Sequence, residues 1–186
     1  MPLKIAAKVD RVDAEYFKTT IEPLLGLGDV EFIGEIREDQ KANFLGNAAA
    51  LLFPIAWREP FALVMIESMA CGTPVVAFEN GSVPEVLEDG VTGFIVRDER
   101  QAVEAVGRAV ALDRDRIRAE FDRRFTARRM AQNYVTVYSR LAKASRRTGA
   151  AQAHSLVTCD DAAIPAKRDL AAAAAAPHDA GLGVLQ

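Results

Sequence analysis

The chain has 186 residues, half of them hydrophobic, which is enough for one hydrophobic core of ordinary size. Its formal net charge of −3 gives no reason to expect a nucleic acid partner. The sequence contains two cysteines, which make no disulfide framework, and no apolar run long enough to span a bilayer. These features favour a reducing, cytoplasmic location and leave binding to the surface of a membrane open.

Charge is unevenly distributed along the chain. Residues 1–100 carry 9 Lys and Arg against 17 Asp and Glu, whereas residues 101–147 carry 12 against 5. A solvated face of surface helices would account for the basic segment. An anionic partner, or the anionic inner face of a membrane that the protein binds peripherally, would account for it as well.

Apolar runs alternate with helical patterns over residues 3–112. The strand-like runs are residues 3–9, 30–34, 49–55, 73–78 and 93–96. Helical patterns lie near Tyr16 to Leu24 and at residues 38–47, 60–71, 83–87, 101–112 and 127–143. Strands that alternate with helices are typical of a parallel sheet covered on both faces. The sequence therefore predicts an α/β fold with a Rossmann-like parallel sheet and trailing helices.

Two parts of the chain differ in composition. Residues 1–147 are predicted to form one Rossmann-like domain, and residues 148–186 a low-complexity tail. The tail contains six consecutive alanines at 171–176 and few large apolar residues, as is typical of disordered segments. Both histidines, His154 and His178, lie in the tail without metal-ligand spacing, so no metal site is predicted.

The stretch EPFALVMIE, residues 59–67, has a glutamate at each end of an apolar run. Glu59 follows a predicted strand, at the carboxyl edge of the sheet where open α/β folds bind ligands. The predicted helix begins at Pro60, and its first N–H groups, those of Phe61, Ala62 and Leu63, lack acceptors within it. With the helix dipole, these groups favour a phosphate or diphosphate.

Each of the two glutamates allows a functional and a structural interpretation. Glu59 would repel a simple anion, so we expect it to accept hydrogen bonds from hydroxyl groups beside the phosphate. Glu67 falls among residues predicted to be buried, where an unpaired carboxylate is costly, and ribose hydroxyls would serve as its partners. Structurally, Glu59 would cap the helix and Glu67 would pair with a basic side chain. Trp57 would either pack at the strand end or stack on a sugar or base.

An ordered series of motifs surrounds this stretch. The two glutamates are followed by Gly-Thr-Pro-Val-Val at 72–76, Gly-Ser-Val-Pro-Glu at 81–85 and Asp-Gly-Val-Thr-Gly-Phe-Ile-Val at 89–96. This series closely resembles the donor-binding half of family-4 retaining glycosyltransferases of the GT-B fold, the glycosyl transferases group 1. Residues 30–36, VEFIGEI, are similar to the strand and loop on the base side of that site. The resemblance covers about residues 3–145 and implies one half of a GT-B fold.

The resemblance implies a nucleotide-sugar substrate, an acceptor of unknown identity and sugar transfer with retention, without metal or cofactor. Glu59 would be the catalytic residue and would contact the hydroxyls of the sugar. Phe61, Ala62 and Leu63 would offer backbone N–H groups to the sugar and diphosphate. Glu67 would hold the ribose. The loop of Gly34, Glu35 and Ile36 would lie near the base.

The sequence departs from the family pattern in two places. Ala62 stands where the family usually has glycine, and its methyl group would crowd the nucleotide-sugar or shift the backbone. The chain also starts at what resembles the second strand of the domain, without the Gly-Arg…Lys segment or the acceptor-binding lobe. We therefore expect the chain alone to be inactive or nearly so, with a missing lobe as a partner. The alternatives are a non-catalytic nucleotide-binding or interaction module and a GT-B epimerase relative.

Overall fold

The computed structural model describes residues 1–152 and 182–185, which belong to two compact units. The first unit contains Met1–Phe125 together with the strand at 182–185, and the second contains the long helix that begins at Ala127. The predictions for the tail at 153–181 lie outside the described residues. Within the described residues, no helix is both long enough and apolar enough to cross a membrane.

The first unit is an α/β structure, which confirms the predicted fold class. Its strands are β1 (Leu3–Ala6), β2 (Val30–Phe32), β3 (Ala50–Phe53), β4 (Val75–Phe78), β5 (Gly93–Val96) and β6 (Leu182–Leu185). Its helices are α1 (Ala14–Tyr16), α2 (Glu22–Leu25), α3 (Glu38–Gly46), α4 (Leu63–Ala70), α5 (Val83–Val86), α6 (Glu99–Ala109) and α7 (Arg114–Arg124). A π-helical turn, Phe17–Ile21, joins α1 to α2, and α8 (Ala127–Gln152) forms the second unit.

The sheet has the order β2-β1-β6-β3-β4-β5. The pairs β1–β2, β3–β4 and β4–β5 are parallel, whereas β6 runs antiparallel to both β1 and β3. Leu3 pairs with Leu185 on one side of β6, and Ala50 pairs with Leu185 on the other. All five predicted strands are present, whereas β6 was not predicted from the sequence.

The two faces of the sheet carry separate clusters of buried residues. Alternate residues of β3 and β4, such as Leu51 and Val75, pack with residues of α4 and α7 on one face, among them Met65 and Ile117. The other face carries Ala50, Val76, Phe94 and Val96, which pack against Ala105 and Ala109 of α6. This double burial explains why β3, β4 and β5 read in the sequence as continuous apolar runs.

The β1 side of the sheet is more open. An apolar cavity of about 320 Å³ lies there, lined by residues of β1, of the π-helical turn and of β3, including Leu3, Ile5, Phe17 and Leu52. Phe17 also contacts Phe32 of β2, with the ring centroids 4.8 Å apart. This half of the sheet is therefore less tightly covered than the half formed by β3, β4 and β5.

Candidate functional site

The candidate site lies at the carboxyl end of β3, where the chain crosses to α4. The helix begins at Leu63, so the predicted start at Pro60 is wrong. Ala62 precedes it with φ of 54° and ψ of 72°, a left-handed conformation that the Cβ atom disfavours. Because a right-handed helix cannot continue through this residue, Phe61 lies outside it. The N–H groups that open the helix are those of Leu63 and Val64.

Both carboxylate oxygens of Glu59 accept hydrogen bonds. The indole N–H of Trp57 donates to Oε2 at 3.1 Å, and the backbone N–H of Ala62 donates to Oε1 at 3.3 Å. Glu59 therefore binds the N–H of Ala62, which precedes α4, rather than the N–H groups of the first helical turn that a capping side chain binds. Each carboxylate oxygen has a second lone pair, so Glu59 is oriented by these bonds and can still accept a hydrogen bond from a ligand.

A loop at residues 80–82 fixes the backbone of Glu59. The N–H of Ser82 donates to the carbonyl oxygen of Glu59 at 2.9 Å, and the side-chain amide of Asn80 donates to the carbonyl of Ile55 at 2.8 Å. Gly81 has φ of 52°, and a Cβ atom there would clash with the backbone of Glu59. The glycine turn of the sequence motif therefore packs directly against the glutamate that it accompanies.

The hydroxyl of Ser82 is buried without a hydrogen-bond partner among the described residues. Ser82 precedes α5 but does not cap it with its side chain. Most buried polar side chains in native proteins are hydrogen-bonded, and an exception calls for a physical account. Here the unpaired hydroxyl belongs to the loop that supports Glu59.

Glu67 forms an ion pair with Lys41 of α3. The Nζ atom of Lys41 lies 3.1 Å from Glu67 Oε1 and 2.8 Å from Glu38 Oε2. The Glu67 side chain is 31% exposed, so it lies at the protein surface, and the expectation of burial is only partly met. Hydrogen bonds from Lys41 to Glu38 and Glu67 raise the pKa of the lysine. Lys41 is therefore the basic partner that the structural interpretation of Glu67 requires.

A small apolar cavity connects Glu67 with the predicted base-side loop. It has a volume of about 40 Å³ and is lined by Ile36, Val64 and Glu67, together with Lys41 and two further residues of α3. Ile36 thus lies near Glu67, and the predicted binding of the base by residues 34–36 and of the ribose by Glu67 stays a prediction. Gly34 has φ of 73°, a conformation suited to glycine, and Glu35 next to it is exposed.

The contacts of two side chains near the two glutamates were not predicted from the sequence. Trp57 was assigned a choice between packing and stacking, whereas in the structure it packs on the core and also holds Glu59. Lys41 was not considered, because it comes 26 residues before Glu67 and only the packing of α3 on α4 brings the two together. The only signal in the sequence was a lysine on the preceding helix, and Glu38, three residues before it, already offers that lysine a local partner.

Arg114, in the basic segment, has a structural role. Its guanidinium donates to the carbonyl oxygens of Gly46 and Ala48 at 2.8 Å each, to that of Cys71 at 3.4 Å, and to Thr73 Oγ1 at 2.7 Å. These carbonyls follow α3 and α4, where helix ends leave acceptors unpaired. The solvated-face interpretation is therefore wrong for Arg114, whose charge is used inside the fold.

Two further arginines of α7 bind backbone carbonyls. Arg118 donates to the carbonyl of Ala70 at 2.7 Å, and Arg124 donates to that of Val86 at 3.0 Å. Part of the basic segment thus neutralises helix ends of the first unit. The remaining positive charge is carried largely by α8.

Comparison with known proteins identifies the family. Residues 10–128 match the protein family described as Glycosyl transferases group 1. The chain belongs to this family. The matched segment includes β2 to β5, the loop of Glu59, the loop at 80–82 and the arginines of α7, so the motifs and the structural contacts lie in the same part of the chain.

Similar curated proteins include glycosyltransferases of several kinds. A D-inositol 3-phosphate glycosyltransferase of Streptomyces bingchenggensis is 41% identical over 39% of this chain and 16% of its own length. A phosphatidyl-myo-inositol mannosyltransferase of Propionibacterium freudenreichii is 34% identical over 56% of this chain and 27% of its own length. The chain thus spans about a quarter or less of these curated relatives.

Solved structures of GT-B glycosyltransferases share the fold. AviGT4, a glycosyltransferase involved in avilamycin A biosynthesis, has a TM-score of 0.61 and 29% identity over 74% of this chain and 43% of its own. The Anabaena protein HepE, solved in complex with UDP-glucose, has a TM-score of 0.60 over 73% of this chain and 40% of its own. At 22% identity, the likeness to HepE shows the fold alone.

Proposed function

We propose that this chain carries the nucleotide-sugar-binding lobe of a family-4 retaining glycosyltransferase, corresponding to the C-terminal half of a GT-B enzyme. The observation that carries the proposal is the fixing of Glu59 beside the open N-terminus of α4. Trp57 orients the carboxylate, and the loop at 80–82 holds its backbone. A carboxylate placed beside free N–H groups suits a ligand that presents both hydroxyls and phosphate. HepE, which shares the fold, was solved with UDP and with UDP-glucose, and we propose a ligand of the same class for this chain.

Each part of the ligand has a candidate partner in the chain. Glu59 would accept hydrogen bonds from sugar hydroxyls through its remaining lone pairs. The backbone N–H groups of Phe61 and Leu63 would bind the sugar and the diphosphate, joined by Val64 at the helix start. Ala62 would serve mainly to shape the backbone, because its N–H already binds Glu59.

Glu67 and Ile36 would bind the nucleoside. Ribose hydroxyls would compete with Lys41 for the Glu67 carboxylate, which is partly exposed and accessible. The base would extend from there toward Ile36, which shares a cavity with Glu67. Gly34 and Glu35 would shape the loop around the base.

The chemistry follows from where negative charge develops. When the bond from sugar to diphosphate breaks, charge accumulates on the departing diphosphate. The N–H groups at the start of α4 and the helix dipole would stabilise it in the transition state.

We propose that this reaction needs no metal ion or cofactor, and that it takes place in the cytoplasm. Transfer would further require an acceptor-binding lobe that closes on this one, so we expect this chain alone to bind nucleotide-sugar without transferring it.

The test is isothermal titration calorimetry with UDP-glucose, GDP-mannose and ADP-glucose. One of them should bind the wild-type chain, and addition of EDTA should leave its affinity unchanged. Glu67→Gln should weaken binding by about 10- to 100-fold, as expected for loss of hydrogen bonds to a charged group. Glu38→Gln is the matched control, because Glu38 also pairs with Lys41 but belongs to a different helix.

The outcomes separate the proposed role from a structural one. If Glu67 only pairs with Lys41, both variants should change binding equally or not at all. If none of the three nucleotide-sugars binds the wild-type chain, the proposal is wrong and a non-catalytic interaction module becomes the better account.

A further inference from the structure

Lys41 of α3 is held by carboxylates on two different helices. Its Nζ atom lies 2.8 Å from Glu38 Oε2, within α3, and 3.1 Å from Glu67 Oε1, on α4. An ammonium group has three N–H donors, so these two contacts leave one donor over. Among the described residues no third acceptor contacts Nζ, and Lys41 can therefore donate a hydrogen bond to a ligand.

The carboxylate of Glu67 has a complementary vacancy for a donor. Of the residues that the structure describes, only Lys41 donates to this carboxylate, and it uses Oε1. The second oxygen, Oε2, can accept hydrogen bonds from a ligand. The side chains of Glu67 and Lys41 are 31% and 34% exposed, so a ligand can reach both. Together they present a hydrogen-bond donor directly beside an acceptor.

The ion pair between the two helices is not needed to neutralise Lys41. Glu38 already pairs with the lysine on its own helix, at a shorter distance than Glu67 does. Ion pairs that are this exposed also add little to stability, because water screens the charges and both side chains lose freedom. A role in ligand binding therefore accounts better than stability for the position of the ammonium beside Glu67.

The pair lies about one helical turn from the start of α4. Glu67 comes four residues after Leu63, the first residue of the helix, so it lies roughly 6 Å farther along the axis and on the same face. Val64 lines one small cavity with Glu67, Lys41 and Ile36. A nucleotide whose diphosphate binds at the helix start can place its ribose, which follows the diphosphate in covalent order, at this pair.

We propose that Lys41 and Glu67 together recognise the 2′-hydroxyl of a ribose, so that the site prefers ribonucleotides to 2′-deoxyribonucleotides. This inference rests on the proposed function, because it requires a nucleotide at the site. The hydroxyl would donate to Glu67 Oε2 and accept from the third N–H of Lys41. Ribose and Lys41 compete for one carboxylate, and they share it because they use different oxygens.

The position of Lys41 favours the 2′-hydroxyl over the 3′-hydroxyl. In a nucleotide the 2′-hydroxyl is the one nearer the base, and α3 directly follows the loop at 34–36 that we assign to the base. A deoxyribose would leave the ammonium and the carboxylate without this shared partner. Losing a hydrogen bond to a charged group weakens binding by about tenfold or more.

The experiment compares ribonucleotides with their deoxy forms by isothermal titration calorimetry on the full chain. UDP, GDP and ADP are titrated alongside dUDP, dGDP and dADP. The wild-type chain should bind one of the ribonucleotides about tenfold or more tightly than its deoxy form. Lys41→Met should reduce this preference to less than about threefold by weakening ribonucleotide binding, while the affinity for the deoxy form changes by less than about twofold.

Lys4→Met is the matched control, because Lys4 of β1 is 32% exposed and also pairs with a glutamate, Glu31. It should change both affinities by less than about twofold. Circular dichroism checks that both variants keep the fold.

Each other outcome overturns the inference in a recognisable way. Equal loss of affinity for both forms in Lys41→Met would make Lys41 a phosphate-binding or purely structural residue. Tighter ribonucleotide binding by that variant would mean that Lys41 blocks the ribose. A nucleotide that binds the wild-type chain without any ribose preference contradicts this inference and leaves the proposed function intact. If no nucleotide binds, the proposed function is wrong and the inference is wrong with it.

Discussion

The two halves of the sheet in the first unit are built differently. Strands β3, β4 and β5 come from residues 50–96, pair with neighbours in the chain and are covered on both faces. Strands β1 and β2 join them in the sheet through β6, which comes from residues 182–185. The three strands of the half that carries the candidate site therefore pair with one another directly, and we call this half self-contained although β3 also pairs with β6. The other half joins the sheet only through β6, a pairing between distant parts of the chain. Such pairings have a higher entropic cost and are harder to foresee.

Disrupting the backbone pairing of β6 should have the largest effect and should destabilise the β1–β2 half more than the β3–β5 half. Val184 pairs with Lys4 on one side and Leu51 on the other, so Val184→Pro removes a hydrogen bond from the middle of the sheet. We expect a loss of about 3 kcal/mol or more in the free energy of unfolding, measured by urea denaturation. Amide hydrogen exchange should accelerate in β1 and β2 far more than in β4 and β5.

The control for this prediction is Val184→Ala, which keeps the backbone N–H and should retain most of the exchange protection. Uniform acceleration of exchange in all strands of the Val184→Pro variant would show that the halves are not separable.

Removing Arg114 should weaken the self-contained half instead. Arg114→Ala leaves the carbonyls of Gly46, Ala48 and Cys71 without their donor, so we expect a loss of about 3 kcal/mol in the free energy of unfolding. Arg116→Ala, an exposed neighbour on the same helix, should change it by less than about 0.5 kcal/mol. Thermal and urea denaturation provide the comparison, and equal effects of the two substitutions would refute the structural role of Arg114.

Glycine at position 62 should strengthen the same half. Ala62 has a left-handed backbone, which costs a residue with a Cβ about 1–2 kcal/mol, partly offset by the greater entropy loss of glycine. We expect Ala62→Gly to raise the free energy of unfolding by about 1 kcal/mol. Ala70→Gly, at the right-handed end of the same helix, should lower it by about 0.5–1 kcal/mol. A destabilised Ala62→Gly variant would mean that the methyl group packs more favourably than the strain costs.

The smallest effect is expected for Lys41. Its pKa is raised by Glu38 and Glu67, so the folded state holds the proton more tightly than the unfolded chain. The stability that the charged lysine contributes is fully present below its ordinary pKa of 10.5. It is lost as the pH rises through the higher pKa that Lys41 has in the folded state. Lys41→Met should therefore cost less than about 1 kcal/mol near pH 8, and the difference from wild type should shrink as the pH rises through the folded-state pKa of Lys41. A difference that persists at high pH would point to packing rather than charge.

The sequence predicted the self-contained half well because its physics is local. Buried parallel strands appear as apolar runs, and Gly72 and Gly81 mark turns that glycine must make. It did not predict β6, because four residues beside an alanine-rich segment carry no strand signal of their own. The start of α4 was also misplaced, because Pro60 suits a first helical turn. The one sign of the left-handed backbone at Ala62 was that the family usually has glycine there.

The sequence predicted where the candidate site residues lie in the fold better than it predicted which side chains they contact. Glu59 and Glu67 lie where the sequence placed them relative to the sheet edge, and Ile36 lies near Glu67. Their partners Trp57 and Lys41 could not be assigned, since side-chain pairing depends on how helices pack. The proposed roles of the two glutamates remain predictions until ligand binding is measured.

The close packing of the loop at 80–82 against Glu59 also offers a spectroscopic probe. The side-chain amide of Asn80 binds the carbonyl of Ile55, and Ser82 binds that of Glu59, so any movement of the glutamate loop must disturb both bonds. In a chain labelled with nitrogen-15 at asparagine alone, the two side-chain amide protons of Asn80 should give a pair of resonances in a nitrogen-correlated NMR spectrum. Those resonances would report on the occupancy of the site while both glutamates remain unlabelled and unaltered.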